Sequence, residues 1–420
     1  MQHVIIGNGP AGVIAAETIR KHQSQDSIIL IGDEPEPPYS RMAIPYLLHG
    51  NINERGTYLR KKEDHFARLN IEQRVARVKQ IDTASSQVVL ENGTGIAYDK
   101  LLIATGSVPV HPPVPGINSP GVYTCWTLAD ARKIMQSAQQ GTRVLQMGAG
   151  FIGCIILEAL TVRGVELSVV EMGERMVPRM MGEGAGKMIR RWCESKGITV
   201  HTGTRVERID PLAGGALRVA LSSGDFIEVD VIISATGVKP NIGFLKDSGI
   251  GCATGILVNA DMQTSVAGVY AAGDCAEAFD PTTGKRVVSA IQPNAAEQAR
   301  CAGLNMAGHR QVQRGVTQIN VLDTLGLIST SFGQWEGVAG GQRAELTDAG
   351  AYRYIRLEFD GDLLVGANTI GLTEHVGVLR GLIESKVCLG QWKEQLMANP
   401  LRLSEAYIAC TQKQDAWLAA

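Results

Sequence analysis

The sequence has no unbroken apolar run of the eighteen or so residues that a membrane-crossing helix requires. Its eight cysteines, at 125, 154, 193, 252, 275, 301, 388 and 410, stand singly, with no CxxC pair and no cluster. That spacing argues against an iron–sulfur cluster, a structural zinc or a disulfide framework. Neither sign of charge is in surplus: 40 Lys and Arg against 42 Asp and Glu leave a formal net charge of −2. Interspersed charges of this kind carry no nucleic-acid footprint. The opening "MQHVIIGNGPAG" lacks a basic n-region and an apolar h-region. Together with the unpaired cysteines, it makes a reducing, cytoplasmic location the expectation.

Glycine, by contrast, is abundant: 48 of 420 residues, about 11% against roughly 7% on average. A chain of this length predicts two or three domains. One internal echo organises them. "HVIIGNGPAGVIAAETIRK" from residue 3 is matched by "RVLQMGAGFIGCIILEALTVRG" from residue 143. Each is a short apolar run, a GxGxxG and a helical pattern, followed by a second apolar run ("IILI" at 28–31, "LSVVE" at 167–171). A lone GxGxxG is weak evidence. Two copies in strand–turn–helix–strand context predict two dinucleotide-binding domains.

Between the copies, 72–98 alternates like a small antiparallel meander and ends in "YDKLLIATGS", and the Pro-rich "VHPPVPG" at 110–116 reads as a crossover. Residues 200–237 alternate again and close on "VDVIISATGVKPN", and a helix is predicted through "NAAEQARCAGLNMAG". From about 311 the composition turns to strands and then two helical patterns at 375–386 and 389–399, predicting an α+β domain.

Gly7, Gly9 and Gly12 suit a tight turn, a close backbone approach to a pyrophosphate, and close helix–strand packing. The following helix points its positive end at the phosphates. Asp33 or Glu34, after the second strand, would hold the adenosine ribose, Asp33 being favoured; both also read as solvated loop acids. Gly148, Gly150 and Gly153 repeat the device, and Glu171 closes its second strand. A carboxylate there accepts the 2′-hydroxyl of NAD and repels the 2′-phosphate of NADP, with helix capping as its plainer use. In "GVYAAGDCAE", Gly273 and Asp274 follow a buried strand and are expected to open onto a helix, where Asp274 would hold a polyol hydroxyl or cap the helix. The helix beginning "QPNAAEQA", around Ala295, would offer free N–H groups to the pyrimidine edge of a flavin.

With both fingerprints, the two ATG motifs (Ala104–Thr105–Gly106 and Ala235–Thr236–Gly237) and "AAGD", the chain resembles the FAD-dependent pyridine nucleotide-disulfide oxidoreductase superfamily over essentially its whole length. The resemblance implies an α/β fold with two Rossmann-like domains plus a C-terminal α+β domain. It implies an FAD domain split between 1–110 and 240–310, an NAD domain at 111–239, and an interface or dimerisation domain at 311–420. It implies FAD contacts at Gly7, Gly9, Pro10, Ala11, Gly12, Ala104, Thr105, Gly106, Gly273, Asp274 and Ala295, with Asp274 on the ribityl chain. Gly148, Gly150, Phe151, Ile152, Gly153, Glu171 and Gly237 would meet NAD. Hydride would pass from nicotinamide to flavin.

Two departures matter. Where NADH oxidase and coenzyme A-disulfide reductase relatives read like "CGLPY", this chain reads "MAIPY", with Met42 at the position of the redox cysteine. A thioether forms neither disulfide nor thiolate. Thiol-based disulfide and peroxide reduction are therefore not expected, and Met42 reads as packing beside the ring. The preceding "PPYSR" is similar to the "PYDR" of ferredoxin and rubredoxin reductases and of the flavoprotein part of NADH-nitrite reductases. That would put Arg41 near the FAD phosphates, an exposed surface arginine being the plainer reading, although Tyr46 stands where those reductases often carry lysine. Second, Ile155 occupies the place, two residues after the third NAD-site glycine, where relatives usually carry a glutamate near the nicotinamide and flavin; the next acid is Glu158. Simple repacking is the bland outcome, and altered NADH affinity or slower flavin reduction the sharper one.

The expectation is an NADH-dependent FAD oxidoreductase that passes electrons to a separate redox protein, such as rubredoxin, ferredoxin or a partner subunit. Two alternatives are an NADH-sensing flavoprotein without turnover and a reductase of a small acceptor such as a quinone. Glu374 and His375 read as helix-start residues with Thr373 as N-cap, and Trp335 and Trp392 as core or interface anchors.

Overall fold

The apolar run before each glycine fingerprint becomes the central strand of a parallel sheet in the computed structural model, which describes the backbone of residues 1–418 and the side chains of residues 1–411. The chain forms two units: Met1–Val108 with Val238–Val316, and Pro109–Gly237 with the residues from Thr317 onward.

In the first unit the sheet runs Val269–Ala271, Lys100–Ile103, Gln2–Ile6, Ser27–Gly32, Ile71–Val75, every pair parallel. Ile28 to Ile31, Leu101 to Ile103 and Val269 to Ala271 are all 5% exposed or less. Burial on both faces is what a parallel sheet between helices demands, and it explains the unbroken apolar runs. The strand order reverses between Gln2–Ile6 and Lys100–Ile103. The carboxyl edge at such a reversal is where open α/β sheets bind ligands. Helix Pro10–His22 packs against helix Gln292–Met306, with Gly303 at the contact. A methyl there would stand 3.0 Å from the Thr18 Cβ and 3.1 Å from the Ala15 carbonyl oxygen.

The meander expected over 72–98 divides in two. Ile71–Val75 is the edge strand of the parallel sheet, and only Val78–Asp82, Gln87–Leu90 and Gly95–Ala97 form the antiparallel meander. An edge strand has one solvated side, so its sequence alternates as a hairpin strand does.

The second unit repeats the plan: Thr199–His201, Glu166–Val170, Arg143–Met147, Val231–Ser234, Val122–Thr124, again all parallel. The alternating stretch after it forms the antiparallel strands Val206–Pro211, Leu217–Leu221 and Phe226–Val229. From Thr317 onward a five-stranded antiparallel sheet is followed by helices Val376–Glu384, Gln391–Ala398 and Leu403–Leu418. The last helix is not evident in the apolar periodicity.

That sheet has two unlike faces. Phe332, Ala344, Ile355, Leu357, Phe359 and Ala367 pack with Leu379, Leu382, Leu396 and Leu403 of the helices in one apolar core. On the other face Asn320, Ser331, Asn368, Arg356 and Glu345 lie directly opposite one another, one per strand, in a polar row across all five strands. Arg356 and Asn368 in this row are buried. Arg356 Nε donates to Glu358, which also receives the Arg343 Nε at 2.6 Å.

Thr373 is not the N-cap of helix Val376–Glu384; His375 is, and its Nδ1 lies 3.3 Å from the Ser404 hydroxyl. Thr373 serves the turn with its carbonyl, which accepts the Val376 N–H. Trp392 packs against the apolar core of the terminal helices, beneath the Arg402 guanidinium.

Candidate dinucleotide-binding sites

In the first unit the chain leaves strand Gln2–Ile6 through Gly7, whose φ of +109° belongs to the region that favours glycine. A methyl on Gly7 would also overlap the Ala104 carbonyl, and one on Gly12 would overlap the carbonyl of Gly7. Gly7 donates to the Ile31 carbonyl at 2.7 Å and Ala104 to the Ile6 carbonyl at 2.7 Å, tying loop, second strand and ATG motif together. Gly9 is different. Its backbone is ordinary extended (φ −74°, ψ −172°), and a methyl there would meet nothing within 4 Å. Protein packing therefore does not require glycine at position 9. The open space beside it, at the N-terminus of a helix with no side-chain cap, fits a pyrophosphate.

The remaining residues of this site come from the second half of the unit. Gly273 (φ +84°) faces both Ala11 and Ala295; an added methyl would stand 3.4 Å and 3.6 Å from their Cβ atoms. Three expected positions from three distant stretches are thus brought together. Asp274 accepts the Ser107 hydroxyl at 2.8 Å. Burial pushes its carboxyl pKa up, against the Ser107 hydrogen bond and the charge of Arg41. The chain after Asp274 does not open onto a helix; it turns into strand Ala276–Asp280, because Gly273 and the following turn redirect it. Helix Gln292–Met306 begins after Ile291 with no side-chain cap, and the Ala295 N–H donates to the Ile291 carbonyl at 3.0 Å. Thr105 donates its hydroxyl to the Asn241 carbonyl at 2.8 Å, and Gly106 takes φ +64°.

Of the two acids after the second strand, Asp33 is exposed while Glu34 is engaged. Glu34 accepts the Tyr39 hydroxyl at 2.7 Å and pairs with Arg41 at 2.8 Å, and Arg41 also donates to the Tyr39 hydroxyl at 3.0 Å. Met42 is 49% exposed in a short 3₁₀ turn, with Tyr46 exposed beyond it. Sequence reading missed Ser107, Tyr39 and Gln298, the last accepting the Gly273 N–H at 2.8 Å. Ser107 directly follows the ATG motif, so its adjacency was the available signal; Gln298 gave none.

The second unit reproduces the cradle. Gly148 (φ +97°) would carry a methyl 2.5 Å from the Ala235 carbonyl oxygen, Gly153 is closed off by the Gly148 carbonyl, and Gly150 faces open space at φ −74°, ψ −171°. Gly148 donates to the Val170 carbonyl at 2.7 Å and Ala235 to the Met147 carbonyl at 2.8 Å. Glu171 stands at the end of the second strand and bridges the loop: its carboxylate accepts the N–H groups of Ala149 and Gly173, both at 2.7 Å. Phe151, Ile152 and Ile155 lie half-buried on the first turns of helix Phe151–Val162, and Gly237 has φ +110° with open space beside it.

Residues 1–300 match the pyridine nucleotide-disulphide oxidoreductase family. The chain is 32% identical over 417 residues to the NADH-dependent phenylglyoxylate dehydrogenase subunit epsilon of Aromatoleum evansii, covering 98% of both chains. It is 34% identical over 319 residues to the NADH oxidase of Methanocaldococcus jannaschii, covering 73% of this chain and 70% of that one. Among solved structures, a chain of the covalent putidaredoxin reductase–putidaredoxin complex superposes with a TM-score of 0.88 at 23% identity, over 98% of this chain and 99% of the other, a likeness of fold. With two glycine cradles of one design and agreement along its length, this chain belongs to the pyridine nucleotide-disulphide oxidoreductase family.

Proposed function

We propose that the chain is an FAD-dependent NADH:acceptor oxidoreductase that passes electrons to a separate redox protein or partner subunit. The observation that carries this is the pair of cradles, each with two glycines locked by neighbouring backbone and a central one facing open space. Gly7, Gly9, Pro10, Ala11 and Gly12 would hold the FAD pyrophosphate, with Asp274 and Ser107 on the polyol chain, Arg41 toward the phosphates and helix Gln292–Met306 toward the ring. Gly148, Gly150, Phe151, Ile152 and Gly153 would hold NADH. Bound FAD accepts a hydride and can release electrons singly.

The outward path supports direct transfer to a partner. Position 42 is a thioether, and Cys125, Cys154, Cys193, Cys275, Cys301 and Cys410 are buried. Burial pushes the Cys125 thiol up to about 12 and the Cys275 thiol up to about 11, far from a reactive thiolate. The similarity to a chain named as one subunit of a larger dehydrogenase favours a protein acceptor. The organisation in sequence is read as a split FAD domain (1–110, 240–310), an NAD domain (111–239) and a dimerisation or interface domain (311–420), in a cytoplasmic protein. No helix among the described residues is long and apolar enough to cross a membrane.

Two measurements test this reading. Purified protein should be yellow and bleached by NADH under anaerobic conditions; a colourless preparation ends the case. NADH should exceed NADPH in kcat/KM because Glu171 repels a 2′-phosphate, and equal values would remove Glu171 from that role.

A further inference from the structure

The cradle of the second unit is steadied from a direction that a Rossmann sheet alone does not supply. After Glu171 the chain runs through residues 172–182 and returns to the glycine loop, where Val177 donates its N–H to the Ala149 carbonyl at 2.8 Å. Ala149 in turn donates to Glu171 at 2.7 Å, so both polar groups of this loop residue are held. Val177 reaches that position with φ +50°. A β-branched residue in the left-handed region, just before a proline, is unfavourable on its own and persists only where its surroundings over-determine it.

The surroundings do so. Met176, Val177, Met180 and Met181 are all buried. The end of the segment is fixed by the polar row of the C-terminal sheet: Asn368 accepts the Gly182 N–H at 3.1 Å and donates to the Met180 carbonyl at 3.1 Å. Asn368 is fully buried, and its row neighbour Arg356 lies so close to Gly182 that a methyl there would overlap the guanidinium. Both bonds between Asn368 and this segment go to backbone, so they report the position of the segment rather than the identity of its side chains, and a third, weaker one joins Asn368 to the Ala367 carbonyl at 3.3 Å.

We propose that Asn368 is a positioning residue for NADH binding, acting through residues 177–182 on Ala149 of the glycine cradle. This rests on the reading of that cradle as the NADH site. Asn368→Ala removes both backbone bonds and lets Val177 relax, which releases the Ala149 carbonyl and loosens the loop.

The test uses the full-length FAD-loaded protein, mixed rapidly with NADH under anaerobic conditions over a range of NADH concentrations. In Asn368→Ala the Kd for NADH should rise about tenfold, within the usual range for coupling between a binding site and a residue that positions it. The limiting rate of flavin reduction and the flavin content should stay within about twofold. Gly182→Ala disturbs the same segment by clash instead of lost bonds and should weaken NADH similarly, so the test stands even if Asn368→Ala does not fold. Thr369→Val is the control: its hydroxyl pairs with that of Thr330 at 2.6 Å and is equally buried, in a register row next to that of Asn368. It should lower Tm and leave the NADH Kd unchanged. A Kd within about twofold of wild type in the folded Asn368 and Gly182 variants overturns the proposal. Wild-type flavin that NADH does not reduce overturns the site reading itself, a failure visible before any variant is made.

Discussion

At the scale of single residues, the two cradles separate what the fold needs from what a ligand needs. Gly7 and Gly148 are demanded by backbone conformation and by a neighbouring carbonyl, whereas Gly9 and Gly150 are demanded by neither. Gly9→Ala should therefore fold with a Tm within a few degrees of wild type yet lose bound FAD. Gly150→Ala should keep FAD and lose NADH affinity by at least about tenfold. Absorbance of the copurifying flavin and NADH titration check the pair, and full FAD retention in Gly9→Ala would contradict the assignment. These positions were legible in the sequence because glycine spacing reports backbone geometry directly. The partners Ser107, Gln298 and Asn368 were not, since each becomes meaningful only once distant strands and helices are placed.

At the scale of elements, close approach of two helices and the pinning of one strand both carry measurable consequences. Helices Pro10–His22 and Gln292–Met306 meet at Gly303, with Ala15, Ala299 and Ala302 fully buried around them. Gly303→Val should force them apart at a cost of about 1–3 kcal/mol, seen as a lower Tm. Because Ala11 and Ala295 near their N-termini flank Gly273, flavin content should fall as well. Strand Gln2–Ile6 is held at its start by His3, fully buried, whose Nε2 lies 2.8 Å from Asp26. Burial holds the imidazole below its ordinary pKa despite that carboxylate. The unfolded chain then takes up a proton at higher pH than the folded one. Stability falls as pH drops through about 6.5 and levels off below the folded value. The Tm difference between about pH 7.5 and 5.5 should be larger in wild type than in His3→Gln, and an equal difference would show that His3 plays no part. Elements with plain apolar periodicity were readable in advance. The edge strand Ile71–Val75 was mistaken for part of a meander, and the turn after Asp274 for a helix start, because local pattern does not reveal which neighbour a strand will find.

At the scale of the whole molecule, the proposed electron path runs from flavin to acceptor without a thiol relay. Cys252 and Cys388 are the exposed cysteines. Alkylation of the native protein with iodoacetamide should label these two, and NADH-driven reduction of an artificial acceptor should stay within about twofold. Loss of turnover on labelling would revive a cysteine pathway. The division of the chain was partly legible, since the repeated fingerprint announces two sheets of one plan. The polar row Asn320–Ser331–Asn368–Arg356–Glu345 was not, because its members are dispersed over 320–368 and align only through strand register. The duplication itself has a biochemical corollary. FAD and NADH share an adenosine diphosphate moiety, and the two loops that would receive it leave the central strands of sheets that share the order of four of their five strands, with nearly the same dihedral angles at Gly9 and Gly150. The backbone that grips this common portion cannot by itself tell the two molecules apart. The resident cofactor is retained by everything beyond that portion, while the exchanging one must leave at every cycle. Free ADP should consequently compete with NADH in steady-state kinetics without displacing the flavin, tying turnover to the adenylate pool around it.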